Sequence, residues 1–112
     1  MLLALGIFAL AALGGLTMAI IRLRGKPTPP LPIAIVHGLA AATGLVILVF
    51  SLEGTSATSR GAGFALVCLL AAALGGFVML FQHLKRHRIS VPLMLVHALA
   101  AVTGVVALWL SL

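Results

Sequence analysis

Charged side chains fall in only three places along this chain. Arg22, Arg24 and Lys26 form the first, Glu53 and Arg60 the second, and Lys85, Arg86 and Arg88 the third. The stretches between them, residues 1–21, 27–52, 61–84 and 89–112, are uncharged. At about 1.5 Å of rise per residue, each is long enough to cross a hydrocarbon layer of about 30 Å as one helix. A water-soluble globule is excluded, because a chain that is 63% hydrophobic has too few polar side chains to cover one. The expected fold is therefore an all-α integral membrane protein. Its four transmembrane helices should lie near residues 2–22, 32–52, 61–84 and 90–111.

The first span is apolar and rich in small residues, as a secretory signal is. Its leading residues MLLAL carry no Lys or Arg, so it is expected to be a retained span. Cys68 is the single cysteine, which excludes an intramolecular disulfide and suggests a buried thiol packing as a small hydrophobe. The net charge of +6 does not point to nucleic acid, because the basic residues sit beside the membrane spans. Snorkelling and contacts with lipid phosphates account for them. By the positive-inside rule the first and third connections face the cytoplasm, which puts both termini and the middle connection EGTSATSR outside. The expected setting is a bacterial inner membrane, with the lipid bilayer as the immediate partner.

An internal repeat organises the chain. The stretch VHGLAAATGLVIL, residues 36–48, returns as VHALAAVTGVVAL, residues 96–108, and 12 of the 21 positions in residues 32–52 are identical in residues 92–112. Upstream, LAALGGLTMAIIRLR aligns with LAAALGGFVMLFQHLK, bringing Gly14 and Gly15 onto Gly75 and Gly76. This pattern implies duplication of one helical hairpin, residues 1–52 and 61–112, around an extracytoplasmic loop at 53–60. Each copy crosses the membrane twice, so the copies share one orientation. The expected architecture is an up-down bundle with a pseudo-two-fold axis along the membrane normal.

Pro32 and Pro92 suit the first turn of helices two and four, where a missing N–H costs nothing. On helix two, His37, Ala41, Gly44 and Leu48 share one face; His97, Ala101, Gly104 and Leu108 repeat it on helix four. Five residues past each proline is about 7–8 Å of rise, which places both imidazoles within the hydrocarbon zone. An ionisable side chain at that depth is a functional-site candidate. The competing reading is structural, a neutral histidine donating to a carbonyl of a neighbouring helix.

With helices two and four across the diagonal of a square bundle, their backbones should be about 11–14 Å apart. That span suits one haem b with its iron held by His37 and His97, and this is the expected cofactor and metal site. Gly15 and Gly76, and Gly44 and Gly104 on the histidine stripe, are candidate cofactor-facing positions because a residue without a side chain admits a macrocycle edge. Small residues serve close helix packing equally well. Thr43 and Thr103 are expected to bond back to the carbonyls of Leu39 and Leu99. His83 and His87 are spaced like a metal pair but have no nearby Cys or carboxylate to complete a site. A solvated end is expected there, with Lys85 and Arg86 able to neutralise haem propionates.

Glu53 is the only carboxylate side chain, so an acid pair or a Ser-His-Asp set cannot be assembled, and hydrolytic chemistry is improbable. Four spans in so short a chain invite comparison with small multidrug-resistance transporters. That family depends on a membrane-embedded glutamate in its first helix, which this chain lacks. Paired inward histidines in a four-helix membrane bundle are similar in arrangement to b-type cytochromes. The familiar two-haem pattern implies four intramembrane histidines; this chain has two, enough for one haem. The resulting expectation is an electron carrier rather than an enzyme. Two alternatives stand beside it. One is a cofactor-free accessory or assembly subunit, packing through its Gly/Ala stripes against other membrane subunits or a second copy. The other is a small channel or carrier, which two histidines without an acid partner serve poorly.

Overall fold

The structure, a computed structural model, describes residues 1–54 and 60–112. All regular structure in the described residues is helical: α1 (Leu2–Leu23), α2 (Leu31–Glu53), α3 (Arg60–Leu84) and α4 (Val91–Leu110). Each helix is long and apolar enough to cross a membrane. Their ends lie within one residue of the bounds expected from the sequence. Of the middle connection, residues 55–59 lie outside the described residues.

Local chemistry explains where the helices stop. Beyond α1, Arg24 is followed by Gly25 at φ +104°, a left-handed turn that suits a residue without Cβ. Beyond α3 the same role falls to Arg86, at φ 58°. The His87 N–H donates to the Gln82 carbonyl at 2.9 Å and the Arg86 N–H to the His83 carbonyl at 3.0 Å, the bond pair of a Schellman cap. At the start of α4 the Ser90 hydroxyl accepts from the Leu93 N–H at 3.4 Å, while α2 begins without a side-chain cap. Pro32 and Pro92 both lie in the first turn of their helices.

The closest pairings are α1 with α2 and α3 with α4; thinner contacts join α2 to α3 and α1 to α4. Among the described residues, no Cα of α2 comes within 8 Å of one of α4, and the same holds for α1 and α3. Helices two and four therefore lie across a diagonal.

The core gathers Ala4, Phe8, Leu48, Ala65, Leu69 and Leu108. Gly44 admits the Phe8 ring and Gly104 admits Leu69: a Cβ built on Gly44 would lie 2.8 Å from Phe8 Cε1, and one on Gly104 2.7 Å from Leu69 Cγ. Much of the outer surface is apolar, including Val36, Leu39, Leu74 and Phe77, as contact with lipid tails requires.

At the basic end the two helix pairs are tied by hydrogen bonds. Ile89 donates its N–H to the Pro27 carbonyl at 3.0 Å, and its own carbonyl accepts from Arg22 Nε at 2.9 Å. Within the α3–α4 pair, Gln82 Oε1 accepts from the Ser90 N–H at 3.3 Å. Arg22 thus serves as a cross-link as well as a membrane-edge charge.

Packing at the glycines yields a graded prediction. Gly104→Ala sets its methyl against Leu69 and also 3.2 Å from the Ala65 carbonyl oxygen, which is backbone and yields only if α3 shifts. It should lower stability by about 1–3 kcal/mol in equilibrium unfolding from micelles. Gly38→Ala, where nothing lies within 4 Å of the added carbon, should leave stability unchanged or raise it by up to about 1 kcal/mol, the helix-propensity gain of Ala over Gly. Equal effects would contradict this packing.

Candidate functional site

His37 and His97 are each the seventh residue of their helix, so both imidazoles stand at one level. His37 Nδ1 lies 2.6 Å from the Ala11 carbonyl oxygen of α1, and His97 Nδ1 lies 2.6 Å from that of Ala72 of α3. A carbonyl only accepts, so each Nδ1 carries the proton and donates. In the neutral ring this leaves the lone pair on Nε2, the atom that can ligate a metal or accept a proton.

The diglycines explain how a ring fits between packed helices. A Cβ on Gly14 would meet His37 Cβ at 3.6 Å, and one on Gly15 would meet His37 Cε1 at 3.0 Å. On the other side, Gly75 would meet His97 Cβ at 3.5 Å and Gly76 would meet His97 Cε1 at 3.3 Å. The space left by Gly15 and Gly76 is therefore taken by the imidazoles themselves. Gly44 and Gly104 are not brought to this level. They lie two turns further along, about 10 Å of rise, beneath Phe8 and Leu69.

Both histidines are half-buried, and their ring centroids are 6.1 Å apart with planes inclined at 72°. Although their helices are diagonal, the side chains reach inward far enough to come within the range of an aromatic edge contact. No hydrogen bond joins the two rings among the described residues.

The carbonyls of Ala11 and Ala72 are the participants that sequence reasoning did not single out. The signal was present, since the alignment that matches Gly14 to Gly75 also matches Ala11 to Ala72. Thr43 Oγ1 donates to the Leu39 carbonyl at 2.8 Å, as its helical position suggests. Thr103 makes no matching bond among the described residues. Cys68 is a half-buried free thiol. His83 is half-buried and His87 exposed, and among the described residues no group of three or more His, Cys, Asp or Glu is arranged to hold a metal ion.

Comparison of the chain with protein-family models, curated proteins and solved structures gives no match.

The two diglycine contacts differ enough to predict an order of effects. Gly15→Ala and Gly76→Ala share whatever helix-propensity gain alanine brings, so the difference between them isolates crowding of the imidazole. The tighter approach at Gly15 should make Gly15→Ala the less stable variant, by up to about 1 kcal/mol, the scale of one interhelical hydrogen bond in a membrane. Equilibrium unfolding of the two variants reads this directly, and the reverse order would contradict the seating of His37.

Proposed function

We propose that this protein is a b-type cytochrome-like electron-transfer protein of the membrane, in which His37 and His97 would hold one haem b between α2 and α4. The observation that carries the reading is the matched donor pair. The ring centroids are 6.1 Å apart, and the Nε2 lone pair of each ring would be available to hold iron. Each ring also has its Nδ1 bonded to a carbonyl, the outer support that orients a ligating histidine and raises its basicity. The donor set fits the group. Haem b, when bound, supplies reversible one-electron exchange at iron.

The protein's own residues have distinct tasks in this reading. Ala11 and Ala72 hold the Nδ1 protons and fix ring orientation. Gly15 and Gly76 keep the space around each imidazole free of side chains. Phe8, Leu48, Leu69 and Leu108 pack the interior beyond Gly44 and Gly104 and exclude water from that side.

The architecture we infer is an up-down bundle made from a duplicated hairpin, with the repeat axis along the membrane normal. It is supported by equivalent contacts in the two halves: Ala11 and Ala72 hold the histidines, and Phe8 and Leu69 cover the stripe glycines. The sidedness we infer, basic connections in the cytoplasm and both termini outside, rests on the distribution of Lys and Arg. A bacterial inner membrane is the setting of this proposal, with other membrane subunits or a second copy as candidate partners.

A cofactor-free accessory subunit is the second reading. It is favoured by the edge contact between the rings, which with two carbonyl bonds gives each imidazole a structural use without any ligand.

Visible spectra separate the two. Protein from haem-replete cells should show sharp bands that intensify with dithionite, and His37→Ala or His97→Ala should abolish or severely alter them, whereas His83→Ala and His87→Ala should leave them nearly intact. A colourless protein would contradict the cytochrome reading and favour the accessory subunit. For sidedness, Thr28→Cys and Arg88→Cys should be shielded from an impermeant thiol reagent on intact cells while Ser56→Cys is labelled. The opposite pattern would invert the assignment.

A further inference from the structure

A groove of about 380 Å³ opens at the basic end, where the connection between α1 and α2 meets the end of α3. Its lining is Pro27, Thr28, Leu31, His83, Leu84 and Arg86. A guanidinium, an imidazole and a hydroxyl therefore share a cleft with Leu31 and Leu84. Such a mixture suits a ligand with an anionic head and an apolar continuation.

The charges around this groove are not equivalent. Arg22 donates through Nε to the Ile89 carbonyl, and Lys85 holds its ammonium 5.4 Å from the centre of the Phe81 ring. The single carboxylate side chain, Glu53, closes the far end of α2. Arg86 therefore lines the groove with no carboxylate at its end of the molecule. It also occupies a left-handed position, φ 58°, whose counterpart after α1 is Gly25. Backbone conformation alone favours glycine there, so the cap gives no reason for arginine.

We propose that this groove binds the phosphate of an anionic phospholipid, held by Arg86 with His83 and Thr28, while the acyl chains pass Leu31 and Leu84 along the α2–α3 seam. A basic pocket between membrane helices at the headgroup level is suited to this. Leu31 also opens α2 without a side-chain cap, so the positive end of that helix faces the same cleft. α2 and α3 pack less closely than either tight helix pair, and the acyl chains would lie along their seam. This inference does not depend on haem.

The test is native mass spectrometry of the full chain released from micelles containing phosphatidylglycerol or phosphatidylcholine of identical acyl chains. The wild type should retain one phosphatidylglycerol in preference to phosphatidylcholine, and Arg86→Gln should weaken that preference about fivefold, the scale of one basic contact. Arg86→Gly should lose it equally while unfolding no more readily than the wild type, which separates loss of the site from loss of the fold. Arg88→Gln, outside the groove, should retain it. Equal loss in the Arg88 and Arg86 variants would reduce the effect to a diffuse positive field and overturn the site. Displacement of the lipid by millimolar inorganic phosphate would also overturn the lipid assignment. Unchanged lipid preference in the Arg86 variants, with loss of haem absorbance, would overturn it in favour of porphyrin carboxylates.

Discussion

The bond from an imidazole Nδ1–H to the carbonyl of a neighbouring helix is the constraint on which this structure depends. Inside a bilayer no water is at hand to satisfy a polar group, so a buried histidine must find its partner within the protein. The carbonyls of Ala11 and Ala72 already belong to helices, and they are reached only where the neighbouring backbone comes close. Gly14, Gly15, Gly75 and Gly76 provide that approach. The tight pairing of α1 with α2 and of α3 with α4 follows from the same contacts.

Once Nδ1 is committed, the chemistry left to each ring is that of Nε2. Two such rings stand at one depth with their centroids 6.1 Å apart. The two halves also differ at the basic end. Arg22 reaches across to Ile89 in the first half, whereas the aligned position in the second half is His83, which lines the groove. In the proposed reading the histidine level and the basic end have separate roles, electron exchange within and lipid attachment at the edge.

The four helices were legible because charge in a membrane chain is confined to the ends of its spans, and with Pro32 and Pro92 marking first turns the expected boundaries fell within one residue of those found. His37 and His97 stood out for the same reason, as ionisable groups at repeated positions. The uses of the glycines were harder to read. Gly15 and Gly44 are both small residues on helix faces in the sequence, yet one receives an imidazole and the other the Phe8 ring. The difference depends on the register between helices, which spacing along a single helix does not carry. The partner of Arg22 was hidden likewise, since a basic residue at a membrane edge has a sufficient explanation in lipid, and the backbone of Ile89 leaves no mark in composition. The left-handed Arg86 was masked by a cap that sequence rules assign to glycine.

The central claim is that both histidines present Nε2 toward a shared metal centre, and nitrogen-15 NMR of the histidine-labelled protein tests it most directly. In metal-free protein the His37 and His97 signals should report protonated Nδ1 and unprotonated Nε2. Addition of one equivalent of haemin should then perturb both residues together and leave His87 unchanged. Rings protonated at Nε2, or spectra of both residues unaltered by haemin, would contradict the account.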